Sequence, residues 1–142
     1  MIGKTIHEIK IGDHAHFEKT ISETDVYMFA GITGDLNPVH INESIAKESL
    51  FQGRIAHGML VSSLISTVLG MHLPGPGTIY LGQNLRFMAP VKIGDTIKAT
   101  VTVTEMDLEK NRISVNTICT NSNGKVVVDG TALVMPPKAT AL

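Results

Sequence analysis

Apolar and polar positions divide the chain into two regimes. From Ser22 to Met71 the apolar residues recur at helical spacing, and beyond Thr78 they alternate. In the first part, Val26, Phe29, Ala30 and Thr33 share one face of a helix. Ser22 precedes it as a good N-cap, Glu23 and Asp25 suit the positive end of its dipole, and Gly34 stops it. Ile41-Asn42-Glu43 predicts a further short helix to about Leu50, capped by Asn42, with Gly53 near its end. Gly58–Met71 predicts the most apolar helix, with Leu64, Ile65, Val68 and Leu69 among its residues and Ser62 and Ser66 four apart on one face. Leu73-Pro74-Gly75-Pro76-Gly77 then breaks it.

The second part predicts four strands: Ile79–Met88, Thr96–Met106, Ile113–Asn121 and Val126–Met135. Short polar turns join them, which implies an antiparallel meander. Residues 3–20 read as two short extended pieces, the second alternating Ala15, Phe17 and Lys19 against His14, His16 and Glu18. A buried helix followed by a long antiparallel sheet is an α+β layer fold, one domain over residues 1–142, with the sheet wrapped around the helix. Such a sheet ends in open edges, and pairing them across a symmetric homodimer is one way to cover them.

Composition narrows the functional classes. Hydrophobic residues make up 43% and charged residues 18%, so the chain can build a core. A formal charge of −1 with no Lys/Arg cluster argues against nucleic acid as a partner. The most membrane-like run, Ile55–Leu73, contains His57, several hydroxyls and His72, and is too polar to span a bilayer. No apolar signal segment follows Met1, and the single Cys119 lies in an apolar alternating run as a buried filler. Both features suit a reduced, cytoplasmic setting. His7, His14 and His16 lack the companions of a metal site and read as solvated.

Candidate chemistry centres on Gly34-Asp35-Leu36-Asn37-Pro38-Val39-His40. On a regular helix, positions five apart point about 140° away from each other. On a straight strand their side chains stand more than about 15 Å apart. A stiff bend is the third geometry: Gly34 admits a left-handed turn, and Pro38 pushes Asn37 out of the α region. Asp and Asn side chains then hold the turn through their own downstream backbone. Such a bend aims Asp35 and His40 at one spot, and a carboxylate beside an imidazole is equipment for proton transfer near neutral pH. Taken alone, the same residues also describe an ordinary solvated loop. A second feature is His57-Gly58, where free amides at a helix start can receive a developing oxyanion and a glycine admits close approach. A glycine that merely eases packing reads the same way.

In combination these anchors resemble the MaoC-like, or hydratase-2, family, and within it the short bacterial (R)-specific enoyl-CoA hydratases. The likeness runs through Gly34–His40, His57-Gly58-Met59, Tyr80-Leu81-Gly82-Gln83 and Pro90–Asp95, in that order along nearly the whole chain. It implies a hot dog fold with the Gly58–Met71 helix at its centre, a homodimer, and an acyl-CoA substrate. It implies Asp35 and His40 as the catalytic pair and Gly58 as the residue whose backbone amide binds the thioester carbonyl. It also implies Ser66 as a hydroxyl supporting that pair or its water, and a mostly structural Asn37. Hydration of a trans-2-enoyl thioester needs a base for water, an acid for C2 and a donor for the enolate oxygen, with no metal or cofactor. Asp35 is expected as the base and His40 as the acid, the reverse or shared split staying open. The rivals are a dehydratase of acyl-carrier-protein thioesters, a thioester hydrolase, and a non-catalytic acyl-thioester-binding subunit, which would be expected to lack the Asp/His pair. Arg54, Arg86 and Lys92 are candidates for the coenzyme A phosphates that no pattern selects.

Overall fold

The structure is a computed structural model that describes residues 1–139. Five strands, β1 (His14–Thr20), β2 (Ile79–Phe87), β3 (Thr96–Asp107), β4 (Arg112–Thr120) and β5 (Val126–Met135), form one antiparallel sheet. Between β1 and β2 lie the helices α1 (Glu23–Thr33), α2 (Pro38–Ile41), α3 (Glu43–Lys47) and α4 (Gly58–Met71). This is the α+β layer arrangement expected from the pattern, and the hot dog fold that the resemblance implies. The helix is cradled because the strands alternate. Along β3, Ile97, Ala99, Val101 and Val103 are fully buried or nearly so, and along β4 Ile113, Val115 and Cys119 are as well. They meet Val61, Leu64, Ile65, Val68 and Leu69 of α4 in one continuous core. Fully burying one such aliphatic side chain stabilises by about 1.5–3 kcal/mol. Among the described residues no helix is long and apolar enough to cross a membrane.

Strand order departs from the simple meander. It runs β1-β3-β4-β5-β2, so β2 pairs with β5 and not with its successor β3. The long turn at residues 88–95 carries the chain from one edge of the sheet to the other side of the meander. In doing so Val91 accepts a hydrogen bond from the Ala56 amide at 2.7 Å, and Ile55 bridges Lys92. That contact fixes where α4 begins. Two further expectations change. The first extended piece is instead a single 3-10 turn over Ile6–Glu8, which tucks Ile6 and Ile9 into the core. The helix expected from Asn42 to Leu50 stops at Lys47.

Not every face of α4 is covered. Met59, Ser63, Ser66 and Met71 stay exposed, as do Ile79, Tyr80, Leu81 and Phe87 on the edge strand β2.

Candidate active site

The Gly34–His40 heptad is a loop joined to a helical turn. Ser22 caps α1 reciprocally with Asp25, and Gly34 closes that helix with φ 80° in the left-handed region. The next residues brace themselves: the Asn37 amide donates to Asp35 Oδ1 at 3.2 Å, and the Val39 amide donates to Asn37 Oδ1 at 3.3 Å. Asn37 is thus the N-cap of α2, and Pro38 takes the first helical position, where it has no amide proton to leave unsatisfied. The expected bend is therefore half helical. Asp35 sits in the loop, and His40 lies on the last turn of α2.

His40 is 8% exposed. Its Nδ1 lies 2.7 Å from the Ile55 carbonyl, which can only accept, so Nδ1 carries the proton and Nε2 is the nitrogen left for chemistry. Asp35 and Gly58 line the same cavity, of about 630 Å³, together with Phe29, Phe51, Met59, Phe87 and Val128. An apolar cavity of this size with a few converging polar groups suits a small organic ligand or the acyl end of a larger one. α4 opens into it without a side-chain cap. Its first amides are therefore free to donate to a ligand oxygen, at the positive end of the helix dipole. Gly58 has a packing reason as well: a Cβ placed there would stand 2.6 Å from Phe87 Cδ1.

A second imidazole belongs to the site, one that the sequence marks only as the residue before the helix glycine. His57 is 2% exposed and stacks on His40 with centroids 3.8 Å apart and planes 28° from parallel. Asp35, His40 and His57 each bring one ligand-capable atom within 4.8 Å of the others. One nitrogen of each ring is already engaged by a backbone carbonyl, His40 Nδ1 with Ile55 and His57 Nε2 with Asp35. A buried histidine adjoining a motif glycine was the available signal for His57.

Ser66 stands apart from the pair. It is exposed on α4 and does not line the cavity. Eight residues beyond Gly58, it stands about 12 Å further along the axis, so within one chain it is not brought to Asp35 and His40. Arg54 is also not free for a phosphate. Its Nη2 donates to Glu23 at 2.7 Å, its Nε to Glu43 at 3.1 Å and its Nη1 to the Tyr27 hydroxyl at 3.0 Å. It fastens α1 to α3 around the site.

A hot dog fold with a carboxylate, an imidazole and an uncapped helix start on one apolar cavity defines the class of acyl-thioester hydratases and dehydratases. The chain belongs to the MaoC family: the MaoC like domain matches residues 8–124. It is 55% identical to an (R)-specific enoyl-CoA hydratase of Rhodospirillum rubrum over 92% of this chain and 90% of that protein. It is 47% identical to a 3-hydroxybutyryl-CoA dehydratase of Methylorubrum extorquens over 92% and 83%. The unliganded R-hydratase PhaJ1 of Pseudomonas aeruginosa superposes with a TM-score of 0.91 at 46% identity, covering 96% of this chain and 87% of that one.

Proposed function

We propose that the protein is an (R)-specific enoyl-CoA hydratase, a hydro-lyase that reversibly adds water to trans-2-enoyl-CoA to give (R)-3-hydroxyacyl-CoA. The observation that carries this is the convergence of Asp35, the free Nε2 of His40 and the open start of α4 on one cavity. Asp35 takes a proton from water as its oxygen bonds to C3. Electrons of the alkene move toward the thioester carbonyl, whose oxygen accepts a hydrogen bond from the Gly58 amide. His40, protonated at Nε2, then delivers that proton to C2. The Nδ1–H bond to Ile55 persists in both charge states of the ring, so only Nε2 exchanges its proton. Asp35 and His40 lie within 4.8 Å, close enough for a solvent molecule to return the proton and reset the pair. Both groups act from one side of the alkene, so addition is syn. The reaction uses these three groups and no metal or redox cofactor.

The homodimer belongs to the same proposal. The apolar side chains left open on β2 and α4 support it, and Ser66 lies in that stripe. A role for Ser66 at the reacting groups is then one exercised across the two chains. A buried, unpaired thiol at Cys119 is in keeping with the cytoplasm.

The test is loss of enoyl-thioester ultraviolet absorbance when purified protein meets crotonyl-CoA, with the product assigned by (R)- and (S)-specific dehydrogenases. Rapid loss with the (R) product is expected. No loss with crotonyl-CoA or longer enoyl-CoAs refutes the proposal, and faster turnover of the carrier-protein thioester would move it to a dehydratase of fatty-acid synthesis. Light scattering after size exclusion should give twice the 15.3 kDa chain mass.

A further inference from the structure

We propose that His57 is a positioning residue that holds both reacting side chains, one through its N–H and the other through its ring face. The inference rests on the hydratase reading for its kinetic consequence, while its structural basis is independent of substrate. Nε2 of His57 lies 3.0 Å from the backbone carbonyl of Asp35, twenty-two residues earlier. A carbonyl can only accept, so Nε2 carries the proton. Nδ1 is buried and meets no partner. The geometry therefore fixes the tautomer, with the proton on Nε2 and Nδ1 bare.

The ring is packed as well. It stacks on His40 at 3.8 Å between centroids, and Phe29 adjoins at 4.9 Å, tilted by 55°. Asp35 and His40 are the ionisable groups clustered with it. The ring face of His57 lies against the side chain that is to deliver a proton to C2. His57 thus does two separable things. Its N–H pins the Asp35 peptide to the start of α4, and its ring sets the plane of His40.

Two variants separate these roles. His57→Gln keeps an N–H near the Nε2 position and loses the ring, whereas His57→Phe keeps a ring and loses the N–H. Both should fold, with native circular dichroism. In each, kcat for crotonyl-CoA should fall about 10- to 100-fold while KM changes less than about threefold, as expected when a reactant is misaligned and not lost. His57→Ala, losing both, should fall further than either. Wild-type kcat in both single variants, or losses carried by KM, would overturn the positioning role. The second measurement needs no activity. Long-range ¹H–¹⁵N correlation should show His57 as the Nε2–H tautomer. Amide signals of Asp35 and Leu36 should shift in His57→Phe and return toward wild type in His57→Gln. A His57 found as the Nδ1–H tautomer overturns the proposal. An inactive wild type with His57 as the Nε2–H tautomer overturns the hydratase reading and leaves the linkage standing.

Discussion

Gly58→Ala adds one methyl group at the point where the thioester oxygen is to be received. A Cβ there would stand 2.6 Å from Cδ1 and 2.7 Å from Cε1 of Phe87. Carbon atoms in good contact are about 3.5–4.0 Å apart, so the ring must withdraw by about 1 Å. Phe87 is 54% exposed and free to swing, which puts the stability cost at the lower end of overpacking, about 1 kcal/mol or a few degrees in Tm. Activity should suffer more. Loss of an oxyanion donor costs about 10²–10³-fold, and here the amide remains while its approach narrows, so kcat/KM for crotonyl-CoA should fall about 10- to 100-fold. The double variant Gly58→Ala/Phe87→Ala removes the ring that the methyl group strikes. Measured against Phe87→Ala alone, it should lose much less than Gly58→Ala loses in the wild-type background. Equal losses in both backgrounds would refute the steric reasoning and place the cost on the substrate itself. Unchanged activity and Tm in the single variant would refute the role of Gly58 altogether.

Asp35→Asn and His40→Asn should each lower kcat by about 10²–10⁴-fold with little change in Tm. Asn at residue 40 can still donate toward Ile55, and near-wild-type turnover in either variant would sink the assigned pair. Acid stability has a definite sign. Hydrogen bonding from Arg54, then from the Tyr27 hydroxyl, holds Glu23 below its ordinary 4.5, and the Ser22 amide, then Lys19, holds Asp25 below 3.8. Both carboxyls therefore stabilise the fold fully above those values, and their contribution drains as pH falls through the lowered native ones. Arg54→Met should accordingly lower Tm at neutral pH by an amount that shrinks on acidification, and a pH-independent gap would contradict the ion-pair account. Burial pushes the Cys119 thiol up to about 12, so a thiol reagent at neutral pH should find no target until the protein unfolds and then titrate one equivalent.

The local signals were well written into the chain. Ser22 as cap, Gly34 as stop and the Pro-Gly run after Met71 set the limits of α1 and α4, because caps and breakers act within a few residues. Strand alternation likewise placed β3 to β5 within a residue or so. What did not show was partner choice. Nothing local says that β2 pairs with β5, since that follows from how the turn at residues 88–95 packs against Ile55 and Ala56. Pro38 does keep Asn37 out of the α region, yet at the first helical position it also starts a turn, so that His40 is helical. Tyr80–Gln83 carries part of the family resemblance, and its place in the fold is on β2, where the Gln83 amide donates to the buried hydroxyl of Thr117, 34 residues away, and steadies the sheet. His57 was hidden for the same reason: its partners are the Asp35 backbone and the His40 ring, and a contact across 22 residues leaves no periodic trace.

The uncapped start of α4 sets a trap for anyone improving this protein by stability alone. Residue 57 is the N-cap position of the most buried helix, and it lacks the Ser, Thr, Asp or Asn that helices prefer there. Cap rules alone would replace it, since a capping side chain stabilises a helix by about 1 kcal/mol. Here the replacement would also lose the His40 stack and the hydrogen bond to the Asp35 carbonyl. Its oxygen would accept from the second or third amide of α4, beside the one the substrate's carbonyl is to use. A rule that counts only the cap therefore disagrees with a screen ranked by turnover, and that disagreement marks the site.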